Sequence, residues 1–236
     1  DLGALLLQQF REDREVRAAE MVGNHLHFDR VAQVRLVAAV FQHRFRIGDA
    51  RPFGIDRAAA AEFLEAYELD PSYTRSLFNR AILFEYGDDG RLRGKGARLA
   101  EAVKTFEREF ESLEGEGMAE RYLADLFELG RYADLVKASG KLKDRKTGGH
   151  YLLASVAVRD GADAATRLAS SVWTDAAGRR AALAQAGRDL VSRREYALSA
   201  DLLLASARGT TSFASVSDLA AKLRTLAKTE AAPEEI

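Results

Sequence analysis

Residues 57–71 read RAAAAEFLEAYELDP. Ala59, Phe63, Ala66 and Tyr67 fall three or four residues apart or side by side, so on an α-helix they share one face while the glutamates take the other. Asp70 then precedes Pro71, an N-cap acceptor ahead of a residue whose missing N–H costs nothing in a first turn. One helix is expected to end near Leu69 and the next to begin at once. Working outward, Val103, Phe106, Phe110 and Leu113 repeat the stripe within 97–113. Gly130, Gly161 and Gly209 are placed as left-handed terminators. Polar clusters at 87–96, 114–117, 140–149 and 208–212 read as turns. The pattern predicts helices over 2–21, 28–46, 57–69, 71–86, 97–113, 117–129, 131–140, 149–160, 162–172, 175–192, 194–207 and 213–228. Short turns between helices of this length make consecutive helices antiparallel neighbours, and the expected class is all-α.

Composition supports this and removes several functions. Only three prolines occur in 236 residues, and 47% of the chain is apolar. The 35 basic and 36 acidic side chains nearly cancel to a net charge of -1, which argues against nucleic acid, whose binders need a clustered excess of cations. No cysteine is present, so disulfides, thiolate metal sites and cysteine nucleophiles are excluded. A cysteine-free soluble chain is compatible with a cytoplasmic or a periplasmic setting. The apolar run from Val34 to Phe41 is interrupted by Arg35 and falls far short of the roughly 20 residues of a membrane span. The sequence opens on Asp1 without a signal-peptide pattern, and is expected to start at a processed terminus or at a boundary inside a longer protein.

Internal repetition organises the rest. In 57–71 the residues Ala59, Phe63, Ala66 and Pro71 follow one another at intervals of four, three and five. This resembles the second half of a tetratricopeptide repeat, with small residues where two helices touch, an aromatic plug and a turn proline. The segment 118–140 carries Gly130 and Tyr132 where that family closes its first helix and opens its second. Ala154 and Gly161 take the corresponding small and turn positions in 150–168. In 183–206 the same pattern is carried by Leu183, Ala186, Gly187, Leu190 and Tyr196, then Ser199, Leu203 and Ser206. Equivalent second-helix positions at Ala59, Ala102, Leu135, Thr166 and Ser199 are separated by 43, 33, 31 and 33 residues. Three of these approach the family's period of about 34, and the glycine-rich insertion at 87–96 accounts for the long one. The first-helix tryptophan and most turn prolines of the family are missing. The resemblance implies a right-handed superhelical array of antiparallel helix pairs, an α-solenoid, over 57–207. Residues 1–56 are then N-terminal helices with a long loop, a degenerate repeat. Residues 208–236 form a capping helix, with Leu219, Leu223 and Leu226 interleaved by Lys222, Arg224 and Lys228, and a frayed tail.

The chemical motifs in the chain are outweighed by structural readings. Tyr86-Gly87-Asp88-Asp89 is similar to the metal-binding turn of viral RNA polymerases, but it follows a helix and has no strand pattern on either side. Gly94-Lys95 is followed by Gly96 rather than Ser or Thr, so the glycine-rich stretch fails as a phosphate loop. His25 and His27 stand two apart and diverge on a helix, His43 lies near a helix C-terminus, and His150 is solitary. Trp173, beside the N-cap candidate Asp175, reads as a plug between hairpins. No metal, cofactor or catalytic set is expected, and the chain is read as a non-enzyme.

In tetratricopeptide proteins the first helix of each hairpin lines a concave groove for a peptide or partner helix. The resemblance and helical spacing place Arg75, Asn79 and Ile82 there, then Glu120, Ala124 and Phe127, then Tyr151, Ser155 and Arg159, then Ala184, Arg188 and Val191. Arg75 with Asn79, Arg159 and Arg188 are suited to carboxylates, and Phe127 and Tyr151 to apolar anchorage. The implied function is a scaffold that binds an extended or helical, acidic segment of a partner protein. A competing reading pairs these arginines with Glu and Asp of neighbouring helices. A second function remains open, a recognition or spacer module of a larger enzyme or sensor.

Overall fold

The computed structural model describes residues 57–115 and 117–230. The expected helices over 2–21 and 28–46, with His25, His27 and His43, lie outside the described residues, as does the tail 231–236. Among the described residues there are ten α-helices and no strand. They are α1 (Arg57–Leu69), α2 (Thr74–Glu85), α3 (Leu99–Glu107), α4 (Ala119–Glu128), α5 (Tyr132–Ser139), α6 (Gly149–Asp160), α7 (Ala162–Val172), α8 (Ala176–Ser192), α9 (Tyr196–Ala207) and α10 (Phe213–Glu230). None is long and apolar enough to cross a membrane.

Each helix packs on the next in sequence, and α4 with α6, α6 with α8 and α7 with α9 also stand side by side. Buried residues run as one continuous core from Ala60 in α1 to Leu202 in α9, and a smaller cluster joins Ala200 and Leu203 to Ala220 and Leu223 of α10. Aromatic contacts mark the joints. Phe78 of α2 meets Phe106 of α3 at 6.0 Å between ring centroids, Phe106 meets Tyr122 of α4 at 6.2 Å, and Phe127 of α4 meets Tyr151 of α6 at 5.5 Å. Trp173 is buried and lies so close to Gly149 that a Cβ there would fall 2.5 Å from the indole. A side chain at 149 would push the α7–α8 corner off α6. Of the three leucines expected to dock α10, only Leu223 is buried, while Leu219 and Leu226 are about half exposed.

Two helix boundaries differ from the sequence reading by three residues or more. Asp70 does not cap α2; its carboxylate accepts from the Ser72 N–H at 3.1 Å and from the Ser72 hydroxyl, while the Tyr73 N–H bonds the Asp70 carbonyl at 2.9 Å. Pro71 thus occupies a tight turn, and α2 begins three residues later than expected, at Thr74. The helix expected over 97–113 stops at Glu107, and a 3-10 turn at Phe110–Ser112 redirects the chain. That turn sets Phe110 edge-on to Tyr122 at 5.9 Å and buries Leu113.

The turns closing α4 and α8 are the same motif built from different residues. After α4, the Gly130 N–H bonds Phe127 O at 3.0 Å and the Arg131 N–H bonds Leu126 O at 2.9 Å, with Gly130 left-handed at φ +68°. After α8, Arg194 N–H bonds Val191 O at 3.0 Å and Glu195 N–H bonds Leu190 O at 3.0 Å, with Arg194 at φ +61°. A side chain at this position pays a backbone penalty that glycine avoids. Arg194→Gly is therefore expected to raise stability by about 0.5–1 kcal/mol and Gly130→Ala to lower it by a similar amount. Urea denaturation of the two variants against wild type measures both.

Candidate functional site

The helices α2, α4, α6 and α8 carry the residues that the sequence assigns to a binding face. Asn79 is half-buried, and its Nδ2 has no hydrogen-bond partner. Ile82 packs against the core. Ala124, Phe127 and Ser155 are buried, Phe127 between Tyr132 and Tyr151 and Ser155 with an unpaired Oγ. Tyr151 is half-buried. Arg75 is engaged within the chain. Arg159 is exposed in the last turn of α6, where a cation suits the helix dipole. Exposed Arg188 donates to Gln185 Oε1 at 3.1 and 2.6 Å. Ala184 is half-buried and Val191 exposed. Ala124, Phe127 and Ser155 of the set are thus core, against the exposed groove position expected of Phe127 and Ser155, while Arg159, Arg188 and Val191 are exposed.

What the sequence reading missed lies between these positions. Glu85 at the end of α2 and Asp125 in α4 are fully buried. Arg93, in the 86–98 loop, sends Nε to Asp125 Oδ1 at 2.9 Å and sets Nη2 3.7 Å from Glu85 Oε1. Arg121 of α4 donates from Nε to Glu85 Oε2 at 2.8 Å, and from Nη2 to the same oxygen. Arg93 reaches this position through a left-handed backbone at φ +55°, with its own N–H held by Glu85 O at 2.6 Å. The remaining oxygens, Glu85 Oε1 and Asp125 Oδ2, are buried and accept no hydrogen bond. Burial, and then the charge of Glu85, push the Asp125 carboxyl up to about 8, against the pull of Arg93. The upward shift favours the protonated form of Asp125 beside Glu85.

The loop that carries Arg93 is compact. Asp88 N–H bonds Lys95 O at 2.9 Å, Gly87 N–H bonds Arg91 O at 2.8 Å, and a Cβ at Gly87 would fall 2.5 Å from Lys95 O. Asp89 turns back to the Arg91 N–H at 3.0 Å. Among the described residues no cluster is suited to hold a metal ion. The loop's visible role is to deliver Arg93 to the two buried carboxyls.

A second cluster ties three helices. His150 of α6 places Nδ1 2.7 Å from Asp189 Oδ2 of α8 and Nε2 3.4 Å from Glu120 Oε1 of α4. Gln185 supports Asp189 through a 2.9 Å hydrogen bond. A neutral imidazole donates from one nitrogen only, so two facing carboxylates call for the imidazolium. Burial opposes that charge, but the hydrogen bonds and charges of Asp189 and Glu120 outweigh it and raise the pKa. His150 is therefore not solitary. Its partners lie 30 and 39 residues away, and no local motif announces them.

No protein-family model, no curated protein and no solved structure matches the chain.

Two pH effects follow. The folded pKa of Asp125 is raised above its unfolded value, so its contribution is complete below that unfolded value and is lost as pH rises through about 8. Asp125→Asn mimics the protonated acid, and is expected to flatten the decline in stability between about pH 5 and pH 9 seen in wild type by urea denaturation. His150 also has a raised pKa, so its stabilisation is present below the ordinary histidine range and lost above the folded value. Its ring resonances in an NMR titration are expected to shift at a pH above the ordinary range in wild type and at a lower pH in Asp189→Asn.

Proposed function

We propose that the chain is a protein-interaction scaffold of the tetratricopeptide kind. In this reading the helix pairs wind into a right-handed superhelix whose first helices, α2, α4, α6 and α8, line a concave groove. The observation that carries it is the packing order: contacts join each helix to the next, first helix to first helix at α4–α6 and α6–α8, and second to second at α7–α9. In an array built this way each repeat packs mainly on its neighbours, which leaves an inner wall for a partner.

The groove takes an extended or helical, acidic segment of a partner. Arg188 is held by the neutral amide of Gln185, which orients the guanidinium without cancelling its charge. Arg159 is exposed and makes no ion pair among the described residues. These two cations are the ones assigned to partner carboxylates, with half-buried Tyr151 as the apolar contact. Phe127 and Ser155 support the wall from beneath. Catalysis is not part of this reading.

Affinity capture with the full chain tests the proposal. Partners retained by wild type are expected to be lost with Arg159→Glu/Arg188→Glu and kept with Lys222→Glu/Lys228→Glu, which changes the charge equally on α10. Unaltered capture by the first variant removes the groove assignment.

A further inference from the structure

The segment joining α5 to α6 reads Gly140-Lys141-Leu142-Lys143-Asp144-Arg145-Lys146-Thr147-Gly148, and its conformation separates its charges. Leu142 is buried and pins the loop to the core, while Lys141, Lys143, Arg145 and Lys146 are all exposed. The nearby carboxylates are committed to backbone and hydroxyl groups. Glu114 accepts from the Lys143 N–H and the Asp144 N–H, each at 3.0 Å. Those two bonds hold its pKa below the usual carboxylate range, the Asp144 N–H contributing most. Asp144 accepts from the Lys146 N–H at 2.9 Å and the Thr147 hydroxyl at 3.4 Å. None of the four cations makes an ion pair among the described residues. Lys141 lies over the Phe110 ring at 5.6 Å.

We propose that this loop is a docking surface for an acidic, extended segment of a partner protein, gripped by Lys141, Lys143, Arg145 and Lys146. The loop backbone is clasped by Glu114, Asp144 and the buried Leu142, so the cations project from an ordered platform and less conformational entropy is lost on binding. Four cations within six residues match a short run of Asp and Glu in length and sign. A bilayer fits less well, because the loop's one apolar side chain is turned inward. Nucleic acid fits less well too, because the patch is short, has no exposed aromatic for stacking and belongs to a chain of net charge -1. This assignment does not rest on the proposed groove.

The test is fluorescence anisotropy of a labelled oligoglutamate peptide with the full chain at low salt. Lys143→Glu/Arg145→Glu/Lys146→Glu keeps the Glu114 clasp, which uses backbone N–H groups, and is expected to weaken binding by about tenfold or more. Arg208→Glu/Lys222→Glu/Lys228→Glu carries the same charge change outside both the loop and the groove residues, and is expected to stay within about twofold of wild type, as distant rim charges do. Three results overturn the proposal. They are no binding by wild type, an equal or greater loss in the second variant, and tighter binding of single-stranded oligothymidylate or phosphatidylserine vesicles than of the peptide.

Discussion

Phe106 sits between Phe78 and Tyr122, fully buried, and through it α2, α3 and α4 share one apolar seam. The helices are amphipathic and none covers its own apolar face, so each relies on the helix that follows. This constraint sets the order of everything else. The seam continues through Phe127 to Tyr151 and through Trp173 against Gly149, and the core stays unbroken as far as Leu202. Removing an aromatic ring from such a joint costs about 3–5 kcal/mol and would loosen two packing interfaces together.

Ionic contacts of the first helices are placed by that seam. Because α2 and α4 are held on either side of α3, Glu85 and Asp125 come together in the interior, where two carboxyls cannot both be charged without help. Arg121 approaches from α4 and Arg93 from a loop strained into a left-handed backbone. The strain at Arg93 makes sense as the cost of bringing a second guanidinium to a site that would otherwise hold uncompensated charge. His150 plays a comparable part farther along, joining α4, α6 and α8 by one ring.

Much of the helical organisation was legible because it depends on local chemistry. Apolar spacing located α1 and α6 to α7 closely, Asp175 caps α8 by accepting the Gly178 N–H as its position implied, and Gly130 turns the chain where a left-handed residue was expected. The errors came where a side chain found a nearer partner. Asp70 bonds Ser72 rather than the next helix, and Phe110 leaves the helical register to meet Tyr122. The binding face was legible only as a list of positions. Helical spacing could not separate Phe127, which is core, from Arg188, which is exposed, because burial there is decided by the neighbouring hairpin. Glu85, Arg93, Arg121 and Asp125 carry no local signal of their burial, since Arg93–Asp125 and Arg121–Glu85 join residues 32 and 36 apart.

The same reasoning separates charges that hold the protein together from charges that remain available to a partner. A guanidinium paired with a buried carboxylate is committed, because removing it strands a charge in a low-dielectric interior and costs about 3–5 kcal/mol. Arg93 and Arg121 therefore belong to the architecture, however suitable arginine is for recognition. Arg188 is different, since a neutral amide fixes its geometry and leaves its charge unspent. The 141–146 loop extends that logic to the backbone: Glu114 and Asp144 satisfy N–H groups, and among the described residues none of the cations beside them is drawn into an ion pair. In a chain with balanced composition, cations are left without a paired acid where the neighbouring acids have been drawn into structural bonds, and both proposed surfaces are built on such cations.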